Sequence, residues 1–218
     1  LFIFLFSPLR EAPGEQHRNL QLLPTLLRLL QNPAYVHGVI AQTFYVGAQI
    51  MCWTFIIQYA TSEIGISKAD AQSWNILAML LFVSFRFLCT YLLKFIPPGP
   101  LLATLASLAS LLTLGTIFLP AWQGLYSLVA VSACMSLMFP TIYGIALRGL
   151  GDDAKLGSAG LILAIGGGCL MPPLQGAIMD GPPFASLSSI RVSFALPLLC
   201  FLIIAHFGVL THKKYSLK

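Results

Sequence analysis

The stretch LILAIGGGCLMPPLQGAIMD, Leu161–Asp180, carries a single charged side chain in twenty residues. A run of about 20 mostly apolar residues is long enough to cross a bilayer as a helix. Its three consecutive glycines, Gly166, Gly167 and Gly168, and the two prolines at 172–173 are unfavourable inside a regular helix. The stretch therefore predicts a membrane helix that is built to bend.

The composition extends this conclusion to the whole chain. Of its 218 residues, 57% are hydrophobic and 9% are charged, and the mean hydropathy is +0.85. Soluble domains carry roughly 25% charged residues, and a soluble chain of this length could not cover so much apolar surface. The net charge is +5, but the basic residues are scattered between apolar runs. This distribution argues against a nucleic-acid partner. We therefore expect an integral membrane protein in a lipid bilayer.

The apolar runs are separated by charged and helix-breaking residues. Because lipid offers the backbone no hydrogen-bond partners, a single span satisfies its own backbone groups only as a helix. The strands of a membrane barrel would alternate apolar and polar residues, and these runs do not. The fold class expected is all-α, with six membrane-spanning helices at about 34–60, 71–94, 101–119, 124–147, 157–180 and 191–211.

The lysines and arginines are unevenly distributed between the two sides of these spans. One side carries Arg10, Arg18, Arg28, Lys94, Arg148, Lys155, Lys213, Lys214 and Lys218. The other side carries Lys68 and Arg191. Since positively charged loops remain in the cytoplasm, we expect both ends of the chain to be cytoplasmic and the plasma membrane to be the location.

Polar and aromatic side chains form a stripe on two of the spans. Gln42, Tyr45, Gln49 and Trp53 fall within about 80° of arc on the first span. Ser132, Ser136, Phe139 and Tyr143 fall within about 60° on the fourth, which is interrupted at Pro140. The stripes have two interpretations: hydrogen bonds that join helices, or a cavity for a neutral polyhydroxyl solute, in which amides bind hydroxyls and aromatic faces pack on the ring.

Arg86 is the one charged residue in the interior of a predicted span. It lies eight residues before Lys94, about 12 Å inside that end of the helix. An arginine at this depth costs roughly 2.5–3.5 kcal/mol on the insertion scale, so it is a candidate functional residue. It could extend to the cytoplasmic edge, or pair with Asp152 or Asp153 as a gate latch, which is the interpretation we favour.

The sequence contains no recognisable pattern of catalytic or metal-ligating residues. The four histidines form no HExxH, no serine lies in GxSxG, and the five cysteines are spaced unlike CxxC. AIGGGC (164–169) lacks the preceding strand and following lysine of a phosphate-binding loop. We expect neither an enzyme nor a metal site. The glycine triplet and Pro172 favour instead a transporter, since transporters place broken helices beside the substrate.

Three segments resemble a known family. FYVGAQIMCWTFIIQYA (44–60), CMSLMFPTIYGIALRGLGDDAKLGSA (134–159) and IGGGCLMPP (165–173) are similar to the C-terminal half of the L-fucose/proton symporter family of the major facilitator superfamily. The resemblance covers roughly 34–205. It implies twelve spans in two six-helix halves around a central sugar site, operating by alternating access, with each half made of two inverted three-helix repeats.

The resemblance also implies a division of the chain. On this scheme 1–6 is the end of a preceding membrane helix, and 7–33 is the central cytoplasmic loop. The six-helix bundle is 34–211, and 212–218 is a cytoplasmic tail. The amphipathic segment 20–30, LQLLPTLLRLL, lies in the loop as an interfacial or a linker helix.

The resemblance identifies the proton as the coupling ion, with no other cofactor. The family's proton-coupling carboxylates lie in the N-terminal half, which is therefore the expected partner. Two positions depart from the family pattern. Members can carry a tyrosine before the PT of helix 10, where this chain has Phe139 and so lacks a hydroxyl donor. The Gly-Arg pair of helix 8 is Phe85-Arg86 here.

We therefore expect half of a proton-coupled transporter for a small neutral monosaccharide. The expected substrate-binding residues are Tyr45, Gln49, Trp53, Ser136, Phe139 and Tyr143. The expected gating residues are Arg86, Asp152, Asp153, Gly166, Gly167, Gly168 and Pro172. The alternatives are a non-transporting membrane sugar sensor, a truncated regulatory half-transporter, and a half-size carrier that works as a homodimer.

Overall fold

The computed structural model of the chain describes residues 22–183 and 187–216. The predicted helix end at 1–6, the loop up to residue 21 and the last two residues of the predicted tail 212–218 lie outside the described residues. Within them, six stretches are long and apolar enough to cross a membrane, which confirms the predicted spans. These stretches are Pro33–Ile64, Lys68–Leu92, Pro98–Phe118, Ala121–Leu147, Gly151–Met179 and Ser189–Thr211.

The described part of the chain contains ten α-helices, numbered here in chain order, and all but the first belong to the six spans. They are α1 Leu22–Gln31, α2 Pro33–Tyr59, α3 Lys68–Leu92, α4 Pro98–Phe118, α5 Ala121–Met135, α6 Met138–Leu147, α7 Ala154–Gly168, α8 Met171–Met179, α9 Ser189–Ser193 and α10 Ala195–Ser216. A wider turn, Ala60–Ile64, continues α2, and a tight turn, Gly151–Asp153, precedes α7.

The starts of two long helices are set by local sequence. The Asn32 side chain accepts a hydrogen bond from the Ala34 N–H at 3.1 Å, and Pro33 takes the first helical position of α2. The missing N–H of proline is harmless there, because the first N–H groups of a helix have no acceptor within that helix. At α3 the Ser67 hydroxyl accepts from the Asp70 N–H at 3.1 Å. These caps fix where the first and second spans begin.

The fourth and fifth spans are each divided into two helices, as their prolines predicted. In the fourth, α5 ends at Met135 and α6 begins at Met138. The break precedes Pro140 because a proline ring clashes with the carbonyl four residues earlier. In the fifth, α7 ends at Gly168, and Pro172 lies in the first turn of α8, where a proline is tolerated. The predicted interruption of the fifth span is therefore confirmed, and bending there stays a prediction.

The helix α2 lies at the centre of the bundle and contacts α3, α5, α6, α7 and α10. Small residues allow the close contacts: a Cβ added to Gly38 would lie 2.5 Å from the Cβ of Ala146 on α6. Between α10 and α4, a Cβ on Gly208 would lie 2.7 Å from the Ala103 nitrogen. In lipid, such packing replaces the hydrophobic effect as the attraction between helices.

The second and fifth spans are much less buried than the rest. In the most apolar window of each, 17% and 22% of the residues are buried, against 44% or more in the other four spans. Their exposed side chains are large and apolar, for example Phe87 on α3 and Leu163 on α7. These two spans therefore present the apolar surfaces on which lipid or another set of helices can pack.

Candidate functional site

The predicted stripes of α2 and of α5–α6 face each other across the break in the fourth span. Tyr45 is fully buried, and its hydroxyl donates to the Met135 carbonyl at 3.0 Å. Met135 is the last residue of α5, where helix carbonyls lack partners within the helix. Tyr45 therefore stabilises the break, and in this conformation its hydroxyl proton is not available to a solute.

An aromatic surface continues from Tyr45 along α6. The Phe139 ring meets the Tyr45 ring edge-on at 6.1 Å between centroids, and it stacks on Tyr143 at 6.3 Å with 11° between the ring planes. Phe139 and Tyr143 are both half-buried. These two predicted site residues thus lie together, with part of their surface accessible, as the packing of an aromatic face on a sugar ring would require.

Trp53 lies about two turns beyond Tyr45 on the stripe of α2. Its indole N–H donates to the Ser132 hydroxyl at 3.2 Å, and its ring lies edge-on to Phe82 of α3 at 5.0 Å. Trp53 is half-buried, whereas Ser132 is 1% exposed. Sequence reasoning missed Phe82; its position one turn before Arg86 is the signal that could have identified it.

The remaining polar groups of the stripes differ in their accessibility. Gln49 is half-buried and its amide makes no hydrogen bond with any described residue. Gln42 and Ser136 are fully buried, and their polar side-chain atoms also lack partners within the described part of the chain. An unpaired buried polar group costs free energy, so these groups mark the interior between α2 and α6. Gln49 is the amide that an approaching solute can reach.

Arg86 is exposed, and its guanidinium lies over the Phe82 ring, 5.8 Å from the centroid. The predicted latch between Arg86 and Asp153 is wrong, because the Asp153 carboxylate is bound by a different arginine. Asp152, the other predicted partner, is exposed in the turn before α7. Arg86 thus borders the aromatic surface and is adjacent to the ring that contacts Trp53.

The observed partner of Asp153 is Arg28 on α1. Its Nε and Nη2 donate to the two carboxylate oxygens at 3.0 and 2.8 Å, and Nη2 also donates to the Thr25 hydroxyl at 2.9 Å. This hydrogen bonding raises the pKa of the Arg28 guanidinium above its usual value, so Arg28 remains charged at physiological pH. Leu29, 1% exposed, packs beside it in a cluster with Tyr35. The contact joins α1 to the bundle.

The three predicted hinge glycines have different surroundings. A Cβ on Gly167 would lie 2.7 Å from Thr43 Cγ2, and one on Gly168 would lie 2.7 Å from Val46 Cγ1. A Cβ on Gly166 would meet nothing within 4 Å. Gly167 and Gly168 therefore allow α7 to approach α2, whereas packing does not explain Gly166.

A second ion pair, missed from the sequence, lies at the opposite end of the bundle. Arg191 Nε donates to Glu63 at 2.5 Å, and Arg191 Nη1 donates to the Leu119 carbonyl at 3.0 Å. Ser188 donates a hydrogen bond to the other Glu63 oxygen. The three loops that close this end are therefore joined through one guanidinium. The signal available in the sequence was that Arg191 and Glu63 both lie at span ends on the same predicted side of the membrane.

Comparisons with known proteins identify relatives along nearly the whole chain. No family model matches it. The L-fucose-proton symporter of Haemophilus influenzae is 47% identical over 209 residues, which are 94% of this chain and 49% of that protein. The L-fucose-proton symporter of Escherichia coli is 34% identical, over 84% of this chain and 41% of the relative. The glucose/galactose transporter of Brucella abortus is 31% identical, over 82% of this chain and 42% of the relative.

Solved structures agree with these sequence matches. A crystal structure of the Escherichia coli fucose:proton symporter, FucP, superposes with a TM-score of 0.86 at 30% identity, covering 96% of this chain and 51% of that one. A second crystal structure, described as FucP in the outward conformation, superposes with a TM-score of 0.85. The match covers 96% of this chain and 50% of that one. The chain spans about half the length of the curated relatives it matches. The chain is therefore similar along nearly its whole length to L-fucose-proton symporters of the major facilitator superfamily, of which it matches the C-terminal half.

Proposed function

We propose that the chain forms the C-terminal half of a secondary transporter that moves a neutral monosaccharide by proton symport with alternating access. The observations that carry the proposal are the stacked, partly accessible rings of Phe139 and Tyr143 on α6, and the half-buried Gln49 and Trp53 on the stripe of α2. Aromatic faces pack on the apolar face of a sugar ring, and an amide can both donate to and accept from its hydroxyls. The names of the sugar-transporting relatives support the same ligand class.

The proton is the proposed coupling ion, and the chain is proposed to need no other cofactor and to catalyse no reaction. The described carboxylates all lie at span ends or in loops, namely Glu63, Asp70, Asp152, Asp153 and Asp180. A carboxylate that takes up a proton during transport would lie in the membrane interior. This distribution supports a coupling site in the N-terminal half.

That N-terminal half is the proposed partner, together with the bilayer. The low burial of the second and fifth spans supports it, because both are apolar along surfaces that nothing in the described chain covers. The proposed location is the plasma membrane with both ends of the chain cytoplasmic, on the strength of the lysine and arginine distribution. The division into 1–6, 7–33, 34–211 and 212–218 follows the same scheme.

Within the proposed central loop, α1 suits a position in the membrane interface. Its leucines Leu23, Leu26, Leu27 and Leu30 are 45–69% exposed and fall on one arc of the helix. Arg28 lies on the opposite side, held by Asp153. A helix with an exposed apolar face and a charged opposite face lies in the plane of the headgroups, which favours the interfacial helix over the linker helix.

The test is sugar uptake by the complete transporter in vesicles, using radiolabelled L-fucose, D-galactose or D-glucose, with and without an inward proton gradient. Gln49→Ala removes one hydrogen-bonding group and should raise the apparent KM by roughly threefold to tenfold. Gln58→Ala is the matched control, since Gln58 is an exposed glutamine on the same helix. Equal kinetics for the two variants would remove Gln49 from the site. Binding without gradient-driven accumulation would identify the sugar sensor instead.

A further inference from the structure

Three polar atoms lie unpaired around the contact between α2 and the break in the fourth span. They are the amide nitrogen and oxygen of Gln42 on α2 and the hydroxyl of Ser136, the residue that follows α5. Both side chains are 0% exposed, and these atoms make no hydrogen bond within the described part of the chain. Buried polar groups are nearly always paired, and an unpaired one costs free energy. These atoms therefore require partners that this conformation does not provide.

Tyr45 connects these two residues. It follows Gln42 by three residues and so lies one turn along the same face of α2. Its hydroxyl donates to the carbonyl of Met135, the residue before Ser136, and its oxygen can still accept a hydrogen bond. Pro140 has no N–H to donate to the carbonyl of Ser136, four residues earlier. Gln42, Tyr45 and Ser136 thus form a buried set of polar groups, called here the polar cluster.

Phe139 forms the boundary between the polar cluster and the accessible surface. Its ring lies edge-on to the buried Tyr45, with 6.1 Å between centroids, and it stacks on the half-buried ring of Tyr143 at 6.3 Å. Phe139 is itself half-buried, so part of its ring reaches the surface. A phenylalanine side chain moves by rotation between staggered χ1 wells, and the backbone here is already interrupted between α5 and α6. Rotation of this one ring would open the polar cluster to a solute.

The chemistry of the polar cluster fits a hydroxyl group better than an ion. An amide carries both donors and an acceptor, and the hydroxyl of a serine or a tyrosine both donates and accepts. A cation would leave the amide N–H groups unpaired, and an anion would leave the amide oxygen unpaired. A sugar hydroxyl satisfies both kinds of group, because it donates one hydrogen bond and accepts up to two. Water shares this property, so a bound water is the competing occupant.

We propose that the polar cluster is a second subsite of the sugar site, which binds one hydroxyl of the sugar after Phe139 turns aside. The inference rests on the proposed function of the chain as half of a sugar transporter. Aromatic rings such as Tyr143 recognise the apolar face of any sugar ring, whereas the polar cluster recognises where on the ring a hydroxyl lies. The polar cluster therefore determines which monosaccharide is preferred.

The experiment combines variants of the complete transporter with sugars that lack one hydroxyl. The probes are L-fucose, D-galactose and the monodeoxy analogues of each, and the measurement is the Kd by isothermal titration calorimetry in detergent. In the wild type, the analogue that lacks the recognised hydroxyl should bind roughly tenfold more weakly than its parent, because the polar cluster stays unpaired. In Ser136→Ala and Gln42→Met this difference should fall below about twofold for the same analogue. If every difference persists in both variants, the proposal is overturned and water is the occupant.

Thermal unfolding separates sugar binding from a structural role. Because the polar atoms of Ser136 and Gln42 are unpaired in this conformation, Ser136→Ala and Gln42→Met should not lower the Tm. The matched controls are Ser110→Ala, at a buried serine that donates within α4, and Gln58→Met, at an exposed glutamine on α2. Both controls should bind every sugar as the wild type does. A clearly lower Tm for Ser136→Ala or Gln42→Met would show that these atoms stabilise the fold and would overturn the proposal.

Gln49→Ala distinguishes the subsite from the proposed function. If Gln49→Ala weakens the binding of every sugar while Ser136→Ala and Gln42→Met bind each one as the wild type does, the transporter binds sugar without the polar cluster, and only the subsite is overturned. If the wild type binds neither L-fucose nor D-galactose, the subsite and the proposed function are both overturned.

Discussion

The two ends of the bundle are each held by an ion pair, but the two pairs are in different surroundings. At one end the side chains of Arg191 and Glu63 are 16% and 12% exposed. At the other end those of Arg28 and Asp153 are 58% and 24% exposed. A desolvated pair is costly to break because one partner is left buried and uncompensated, whereas an exposed pair contributes little. In the proposed transport cycle we therefore expect the first pair to act as a clamp that stays closed and the second pair to be the contact that opens.

The largest effect on stability is expected for Arg191→Ala. This change leaves Glu63 with Ser188 as its remaining side-chain partner and removes the donor to the Leu119 carbonyl. We expect a loss of about 3 kcal/mol in the free energy of unfolding, the lower end of the range for breaking a buried pair. The measurement is the thermal unfolding of the complete transporter in detergent.

Lys68→Ala is the control for this clamp, since Lys68 is an exposed cation at the same end of the bundle. Its Tm should equal that of the wild type. In the double variant Glu63→Gln with Arg191→Ala, no charge remains buried, so part of the lost stability should return. If Arg191→Ala unfolds at the wild-type temperature, the clamp does not exist and the two ends are equivalent.

An intermediate effect on stability is expected for substitutions in the fifth span. This span connects the two ends of the bundle through the break between α7 and α8. Gly168→Ala would place its Cβ 2.9 Å from the Gly47 nitrogen and force α7 away from α2. Overpacking of this kind costs about 1–3 kcal/mol. Gly166→Ala meets no atom and should stabilise the helix by up to about 1 kcal/mol. The Tm should therefore fall for the first variant and rise slightly for the second.

The same pair of variants separates packing from bending. If the fifth span bends at Gly166 while the exposed end opens, Gly166→Ala should slow sugar uptake in spite of its higher Tm, and we expect this result. Unchanged uptake would mean that the glycine triplet serves only the contact between α7 and α2. The hinge would then lie at the break itself, next to Pro172.

The positions of the spans and their breaks could be predicted because they depend on local sequence. The bilayer fixes how long an apolar run must be, and a proline in the interior of a run interrupts the helix there. The stripes identified pairs of residues that come together, Trp53 with Ser132 and Phe139 with Tyr143, while their role in binding a sugar stays a prediction. Which members of a stripe are covered could not be predicted, because periodicity does not identify the neighbouring helix. Tyr45 and Ser136 are buried for that reason.

The charged contacts show more clearly that a sequence pattern does not identify which helices are neighbours. Arg28 and Asp153 are 125 residues apart in sequence, and Arg191 and Glu63 are 128 apart. Charge and depth in the membrane made Arg86 a reasonable partner for Asp153, but Arg28 is brought there by Leu29, which anchors α1 to the bundle. Sequence patterns assign charges to a side of the membrane, and tertiary packing then selects the pairs.

The smallest effect on stability is expected for Arg28→Ala. Because this pair is exposed, water replaces the lost contact, and the Tm should be indistinguishable from that of the wild type. The contact should matter for the opening of its end: its loss should change the maximal uptake rate, and the exchange of charges in Arg28→Asp with Asp153→Arg should restore it. Raised ionic strength, which screens exposed charges, should shift wild-type uptake toward that of Arg28→Ala and leave the unfolding of the Arg191 end unaffected. A loss of stability as large as that of Arg191→Ala would instead mean that α1 is a fixed part of the bundle, and the end that opens would have to be sought elsewhere.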